Sequence, residues 1–138
     1  MGRRRRRIIS NSSEQTYQFG KELARELPAN QLICFFGDLG AGKTTLIKGI
    51  VEELTSINGA EVTSPTFTYL QSYEHVHHFD LYRLDGVESF CAMGFEEYLD
   101  DGICCIEWSE KIISLIPKTA MKITLTHLGL DQRQIEVV

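Results

Sequence analysis

The sequence is poor in the features that mark secreted, membrane or disordered chains. No apolar run in its 138 residues approaches the ~20 that a helix needs to cross a bilayer, so no membrane span is expected. Proline is scarce, at 3 residues, while 43% of the chain is hydrophobic and 24% charged, a balance that excludes disorder and suits one compact domain. The 4 Cys (Cys34, Cys91, Cys104, Cys105) include no CxxC pair, and three sit inside apolar runs. They read as buried free thiols in a reducing cytoplasm rather than a disulfide framework. Only Ile8 and Ile9 separate Arg3–Arg7 from the polar Ser10–Asn11–Ser12–Ser13, too short an apolar stretch for a signal peptide, and a cytoplasmic location is expected.

Positive charge is also scarce outside one run. The net charge is −5, and without Arg3–Arg7 the 14 basic residues fall to 9 against 19 acidic ones, a balance of −10. So acidic a body argues against a broad nucleic-acid footprint, which needs clustered Lys and Arg. Residues 1–11 are expected to form a basic, disordered tail ahead of a domain over residues 12–138. The other reading of the Arg run is an arm for nucleic acid or an acidic partner.

Along that domain, strands and helices alternate. Ser12 or Ser13 can cap a helix, with Gln15 in capping-box register after Ser12, and Phe19, Leu23, Ala24 and Leu27 follow at helical spacing up to Pro28. The run 31–36 is continuously apolar after Gln31, as in a strand buried on both faces. Beyond a Gly-rich turn, residues 44–54 read as a helix with Leu46, Ile47, Ile50, Val51 and Leu54 on one stripe. Two extended segments, 66–73 and 75–84, are expected to pair antiparallel, and short helical pieces broken at Gly94 to fill 87–99. Ile103–Ile106 reads as a second buried strand, followed by a helix through Lys111–Leu115, and residues 121–126 and 134–138 as a hairpin at the sheet edge. The fold class is therefore α/β: a single domain with a mixed central β-sheet flanked by helices.

The strongest chemical signal is Gly37–Asp38–Leu39–Gly40–Ala41–Gly42–Lys43–Thr44, a full match to G-x-x-x-x-G-K-[ST] between a buried strand and an amphipathic helix. Its glycines let successive backbone N–H groups turn inward on a phosphate, and the helix that begins at Lys43 adds its own unpaired N–H groups and dipole. Lys43 can bridge the β- and γ-phosphates, and the Thr44 hydroxyl can enter the shell of Mg²⁺. A P-loop also needs an acidic partner at the end of a neighbouring strand. Glu107, directly after Ile103–Ile106, supplies one, able to hold Mg²⁺ or polarise the attacking water, and Trp108, the single Trp, follows it.

Between these lies His75–Val76–His77–His78–Phe79–Asp80–Leu81–Tyr82–Arg83–Leu84. A zinc site is not expected, because His77 and His78 point to opposite faces of a strand with no Cys at ligand spacing. Asp80 and Tyr82 share a face with His78, and the Asp80 carboxylate can reach a γ-phosphate water or the Mg²⁺ shell. Adjacency on a strand hinders the plainer alternative, a salt bridge to Arg83.

Four motifs in this order (37–45; Ser64–Pro65–Thr66–Phe67; His78 to Leu84; Ile106–Glu107–Trp108–Ser109–Glu110) resemble the TsaE (YjeE) family of bacterial P-loop ATPases, over about residues 12–138. The resemblance implies a small P-loop NTPase-like ATPase domain. It implies an Mg²⁺-dependent, slow and partner-stimulated ATPase that acts with TsaD and TsaB in forming N6-threonylcarbamoyladenosine (t6A) at adenosine 37 of tRNA. Carried onto this chain, it assigns ATP-binding to Ser13, Gly37, Asp38, Gly40, Ala41, Gly42, Lys43, Thr44, Thr45 and Arg133. Thr44 and Glu107 would stand at Mg²⁺, with Asp80, Glu107 and Lys43 catalytic. Ser64, Pro65 and Thr66 would belong to a nucleotide-sensing switch, and Trp108 to activity or the partner surface. The Arg run is a departure from the family pattern. Direct tRNA contact is not expected of so acidic a body.

Two readings from other classes compete. A small-molecule P-loop kinase closes an Arg-rich lid over the transferring phosphate, yet after the loop this chain has only Arg83 and Arg133. A nucleotide-gated switch module with incidental turnover is the second. A guanine-specific switch would carry an Asn-Lys-x-Asp motif, which is absent.

Overall fold

The computed structural model describes residues 5–38, 42–65 and 67–138. Gly40, Ala41 and Thr66, and the first two arginines of the Arg run, lie outside them.

Helix α1 (Ser13–Arg25) begins at Ser12, whose side chain accepts from the Gln15 backbone N–H at 3.1 Å, while the Gln15 side chain accepts from the Asn11 N–H at 2.7 Å. This is a capping box displaced by one residue. Strand β2 (Gln31–Phe36) is buried on both sides: Ile33 and Phe35 enter one apolar cluster, Leu32 and Cys34 the other. Helix α2 (Lys43–Leu54) buries Leu46, Ile47, Ile50 and Val51. Strands β3 (Leu70–Tyr73) and β4 (Val76–Asp80) form an antiparallel pair, and a short helix α3 (Val87–Ala92) leads through a 3₁₀ segment to β5 (Ile103–Glu107). Residues Ser109–Leu115 are 3₁₀ rather than α-helical, kinked at Ile112. Strands β6 (Met121–His127) and β7 (Arg133–Val137) complete an antiparallel hairpin.

With β1 (Arg6–Ser10), the strands form one seven-stranded sheet in the order β1-β7-β6-β2-β5-β4-β3. The four central strands β6, β2, β5 and β4 run parallel, and both flanks are antiparallel. Helices α1 and α2 cover one face, packed on Ile33, Phe35, Ile103 and Ile123. Phe90 of α3, Phe95 and Ile112 cover the other with Phe79 and Ile106. The expected α/β architecture with a mixed sheet between helices is what the chain adopts.

Two expectations about the edge of the sheet also need correction. The tail expected over residues 1–11 is not disordered where β1 runs: Arg6–Ser10 pairs with β7 along its whole length. Ile8 packs on the core, Ser10 is buried with its hydroxyl 2.7 Å from that of Thr16, and Arg6 and Arg7 reach Glu26 and Glu136 at 2.8 and 3.0 Å. A run of like charges reads as solvated in isolation, but an open sheet edge supplies backbone partners and carboxylates that the local sequence does not show. For the same reason the β6–β7 hairpin is not the sheet edge. Strand β1 occupies that position.

Helices α1 and α2 approach closely at two glycines. A Cβ on Gly20 would lie 2.3 Å from the Leu46 carbonyl oxygen, and one on Gly49 would lie 2.2 Å from that of Tyr17. Backbone cannot yield as a side chain can, so Gly49→Ala is expected to cost about 3 kcal/mol, the upper end for overpacking. Urea denaturation measures this, and a loss below ~1 kcal/mol would mean that the helices are free to separate.

Burial pushes up the thiols of Cys34, Cys104 and Cys105, with Cys104 raised to about 12 by burial and then by Asp101 and Asp100. Cys91, only half-buried, is raised by its hydrogen bond to Glu96. A thiol reagent at about pH 8 is expected to modify Cys91 first and the other three only as fast as the chain unfolds. Rapid labelling of Cys104 or Cys105 in the folded protein would contradict that burial.

Candidate functional site

The parallel centre of the sheet sets up the site. Phe35 of β2 lies opposite Glu107 of β5, and Glu107 lies opposite Asp80 of β4, so two carboxylates emerge side by side where the strands end. This is the carboxyl edge of an open α/β sheet, the common ligand position in such folds. At the same edge the chain leaves β2 and enters α2 through Gly42, which has φ 99° in the left-handed region. The cavity there measures about 700 Å³ and is lined by Gly42, Lys43, Thr44, Thr45, Ser64, Asp80, Glu107 and Trp108, together with Tyr82 and Arg83.

Lys43 is nearly buried, with its Nζ donating to the Gly37 carbonyl at 2.7 Å and lying 3.6 Å from Glu107 Oε1. The ammonium thus sits between the P-loop and the first carboxylate. The other Glu107 oxygen, Oε2, accepts from His78 Nε2 at 2.8 Å. Burial pushes the Glu107 carboxyl up, but the hydrogen bond and charge of His78, aided by Lys43, outweigh it and hold the group below the usual glutamate range. Glu107 is therefore an anion at neutral pH although it is almost fully buried.

Asp80 is tied differently. Its Oδ2 accepts from the Ser64 hydroxyl at 3.2 Å and its Oδ1 from the Tyr82 N–H at 3.1 Å. Arg83 lies over the Phe67 ring, 4.8 Å from its centroid. Trp108 adopts φ 62° and ψ 42°, unusual for a bulky residue, and its ring is 5.0 Å from that of Tyr82. That backbone turn takes the chain away from the strand just after Glu107 and leaves the indole at the cavity mouth.

A second, smaller cavity of about 100 Å³ adjoins the first through Gly42 and Thr45 and brings Ser13 and Arg133 together with Ser12, Thr16 and Asp131. The two residues carried over from the ends of the domain thus meet beside the P-loop, 120 positions apart in sequence. Asp38 is exposed and Pro65 buried, and neither is among the described residues that line the two cavities. No task for His78 follows from the sequence alone, although its signal is present: it lies two residues before Asp80 on one strand and so faces the same side.

The donor chemistry fits a hard divalent cation. Glu107, Asp80 and the Thr44 hydroxyl offer oxygens to one cavity. Among the described residues no three His, Cys, Asp or Glu gather as a metal cluster. Such a site suits an ion that keeps water and phosphate oxygens as most of its ligands, as Mg²⁺ does. Among the described residues no helix is long and apolar enough to cross a membrane.

Known proteins resemble this chain in sequence and in fold. Residues 10–135 match the family model described as "Threonylcarbamoyl adenosine biosynthesis protein TsaE". The tRNA threonylcarbamoyladenosine biosynthesis protein TsaE of Treponema pallidum is 36% identical over 135 residues, which cover 95% of this chain and 98% of that protein. The protein of the same name from Rickettsia bellii is 39% identical over 129 residues, covering 91% and 89%. Among solved structures, Bacillus subtilus YdiB superposes with a TM-score of 0.73 at 28% identity, covering 97% of this chain and 84% of that one.

Proposed function

Because the chain belongs to the TsaE family of tRNA threonylcarbamoyladenosine biosynthesis proteins, we propose that it serves that pathway as an Mg²⁺-dependent ATPase acting in the cytoplasm with TsaD and TsaB. The observation that carries this reading is the single cavity in which the P-loop Lys43 and Thr44 face two carboxylates, Asp80 and Glu107, at the ends of adjacent parallel strands. That is the set of groups phosphoryl transfer to water requires.

In this reading Gly37–Thr45 cradles the phosphates, with Gly40 and Ala41 contributing backbone N–H groups, and Ser13 and Arg133 flank the nucleotide in the adjoining cavity. Lys43 turns from Gly37 and Glu107 to the β- and γ-phosphates. Thr44 and Glu107 would hold Mg²⁺, which would supply positive charge against the negative charge that gathers on the phosphate oxygens. Asp80, held by Ser64 and the Tyr82 N–H, orients a water and takes its proton. The water oxygen bonds to the γ-phosphorus as the bond to the bridging oxygen breaks, and ADP and phosphate leave. The segment 64–66 is coupled to the reaction through the Ser64–Asp80 contact, and Trp108 and Tyr82 at the mouth present an aromatic surface to a partner protein. A charge of −10 outside the Arg run favours contact with proteins rather than with tRNA.

ATP hydrolysis by the purified chain, alone and with TsaD and TsaB, with tRNA modification followed in the same mixtures, tests the proposal. Turnover that rises with the partners, and repeated rounds of modification that require this chain, are expected. ATP consumption indifferent to the partners, with phosphate passed to an added metabolite, would favour a kinase instead. Lys43→Ala is expected to abolish nucleotide binding in calorimetric titration. Asp80→Ala is expected to lower kcat by about 10²–10⁴-fold while nucleotide affinity stays within a few-fold. Equal loss of both would make Asp80 a binding group.

A further inference from the structure

His78 is a buried polar residue to which the reaction above gives no part. Its side chain has no exposure at all, on the face of β4 that carries Asp80. The register sets His78 opposite Cys105 and Asp80 opposite Glu107, so the imidazole reaches diagonally to the carboxylate two residues further along β5. Its Nε2 donates to Glu107 Oε2 at 2.8 Å, and its Nδ1 has no hydrogen-bond partner among the described residues. Among the described residues Glu107 is thus the ring's one side-chain hydrogen-bond partner. A histidine placed only to fill the core would be replaced by an apolar residue at no polar cost.

The two partners of Glu107 differ in kind. Lys43 lies 3.6 Å from Oε1, beyond hydrogen-bond length, so it attracts the carboxylate without directing it. Lys43 is also the group whose ammonium an incoming phosphate competes for. The contact from His78 is short and comes from β4 within the sheet, and His78 is not among the described residues that line the cavity.

We propose that His78 is a positioning residue for Glu107, holding its carboxylate in one orientation toward the Mg²⁺–nucleotide after Lys43 has turned to the phosphates. This rests on the ATPase reading above. Hydrogen-bond partners that orient metal-ligating groups in this way commonly matter for metal affinity nearly as much as the ligands do.

Calorimetric titration of the full chain with ADP, over a series of Mg²⁺ concentrations and in chelator, tests it without relying on turnover. Wild-type affinity is expected to rise with Mg²⁺. His78→Leu, of similar bulk but without a donor, is expected to lose about 10–100-fold in the Mg²⁺-dependent part of the affinity while affinity in chelator stays within about twofold. His78→Gln, whose amide restores a donor, is expected to recover most of the loss. Added to Glu107→Gln, His78→Leu is expected to change little further, because the group it orients is no longer a carboxylate. Full Mg²⁺ dependence in His78→Leu, or an effect that simply adds to that of Glu107→Gln, overturns the proposal alone. Should His78→Leu fail to fold by circular dichroism, His78→Gln and its combination with Glu107→Gln decide by the same additivity criterion. A wild-type chain that binds no nucleotide overturns the ATPase reading and this inference together. A wild-type chain that binds nucleotide without response to Mg²⁺ overturns the inference and leaves nucleotide binding in place.

Discussion

The parallel register of β2, β5 and β4 is the constraint on which the rest of the structure depends. Phe35, Glu107 and Asp80 lie abreast across three neighbouring strands. Side chains alternate along a strand, so a slip of one residue in either pairing would turn a carboxylate away from the P-loop and an apolar side chain into it. Burial enforces the register: Ile33, Phe35, Ile103 and Cys105 pack under α1 and α2, while Leu32, Cys34, Cys104 and Ile106 pack on the opposite side. Shifting any of these strands would transpose two apolar clusters at once.

The helix pair above the sheet depends on a second close fit. Gly20 and Gly49 let α1 and α2 touch backbone to backbone, which brings the start of α1, with Ser12, Ser13 and Thr16, up to the start of α2 at Gly42 and Thr45. The smaller cavity exists because of that approach. Strand β1 secures the same corner, since the buried Ser10 reaches Thr16 on α1 and the strand pairs with β7, which begins at Arg133.

At the mouth of the main cavity the charges are arranged unevenly. Glu107 is deep, held by His78 and faced by Lys43, whereas Asp80 is held by a hydroxyl and a backbone N–H from its own neighbourhood. Glu107 thus meets an imidazole and an ammonium from two other elements, and Asp80 a hydroxyl and a backbone N–H. The contact of Asp80 with Ser64 also ties it to the loop before β3.

The parts legible in the sequence were those written in short runs. The P-loop match, the two apolar strands 31–36 and 103–106, the stripe of α2 and the serine cap of α1 each depend on residues within a few positions of one another, because turn geometry, helix periodicity and strand alternation are local physics. The family resemblance beyond the motifs added Ser13 and Arg133, but nothing in the chain between them said that they share a cavity. Strand β1 was illegible for the same reason: five arginines resemble a solvated tail until β7 offers an edge and Glu26 and Glu136 offer partners. The sequence by itself determined which reactive side chains the chain carries and in what local setting: Lys43 and Thr44 after the glycines, Asp80 and Glu107 at strand ends. Only the tertiary structure decided that His78 meets Glu107, 29 positions away, and that Asp80 is tied to Ser64. Strand order and register are settled by burial summed over the whole sheet, and no local run of residues contains that sum.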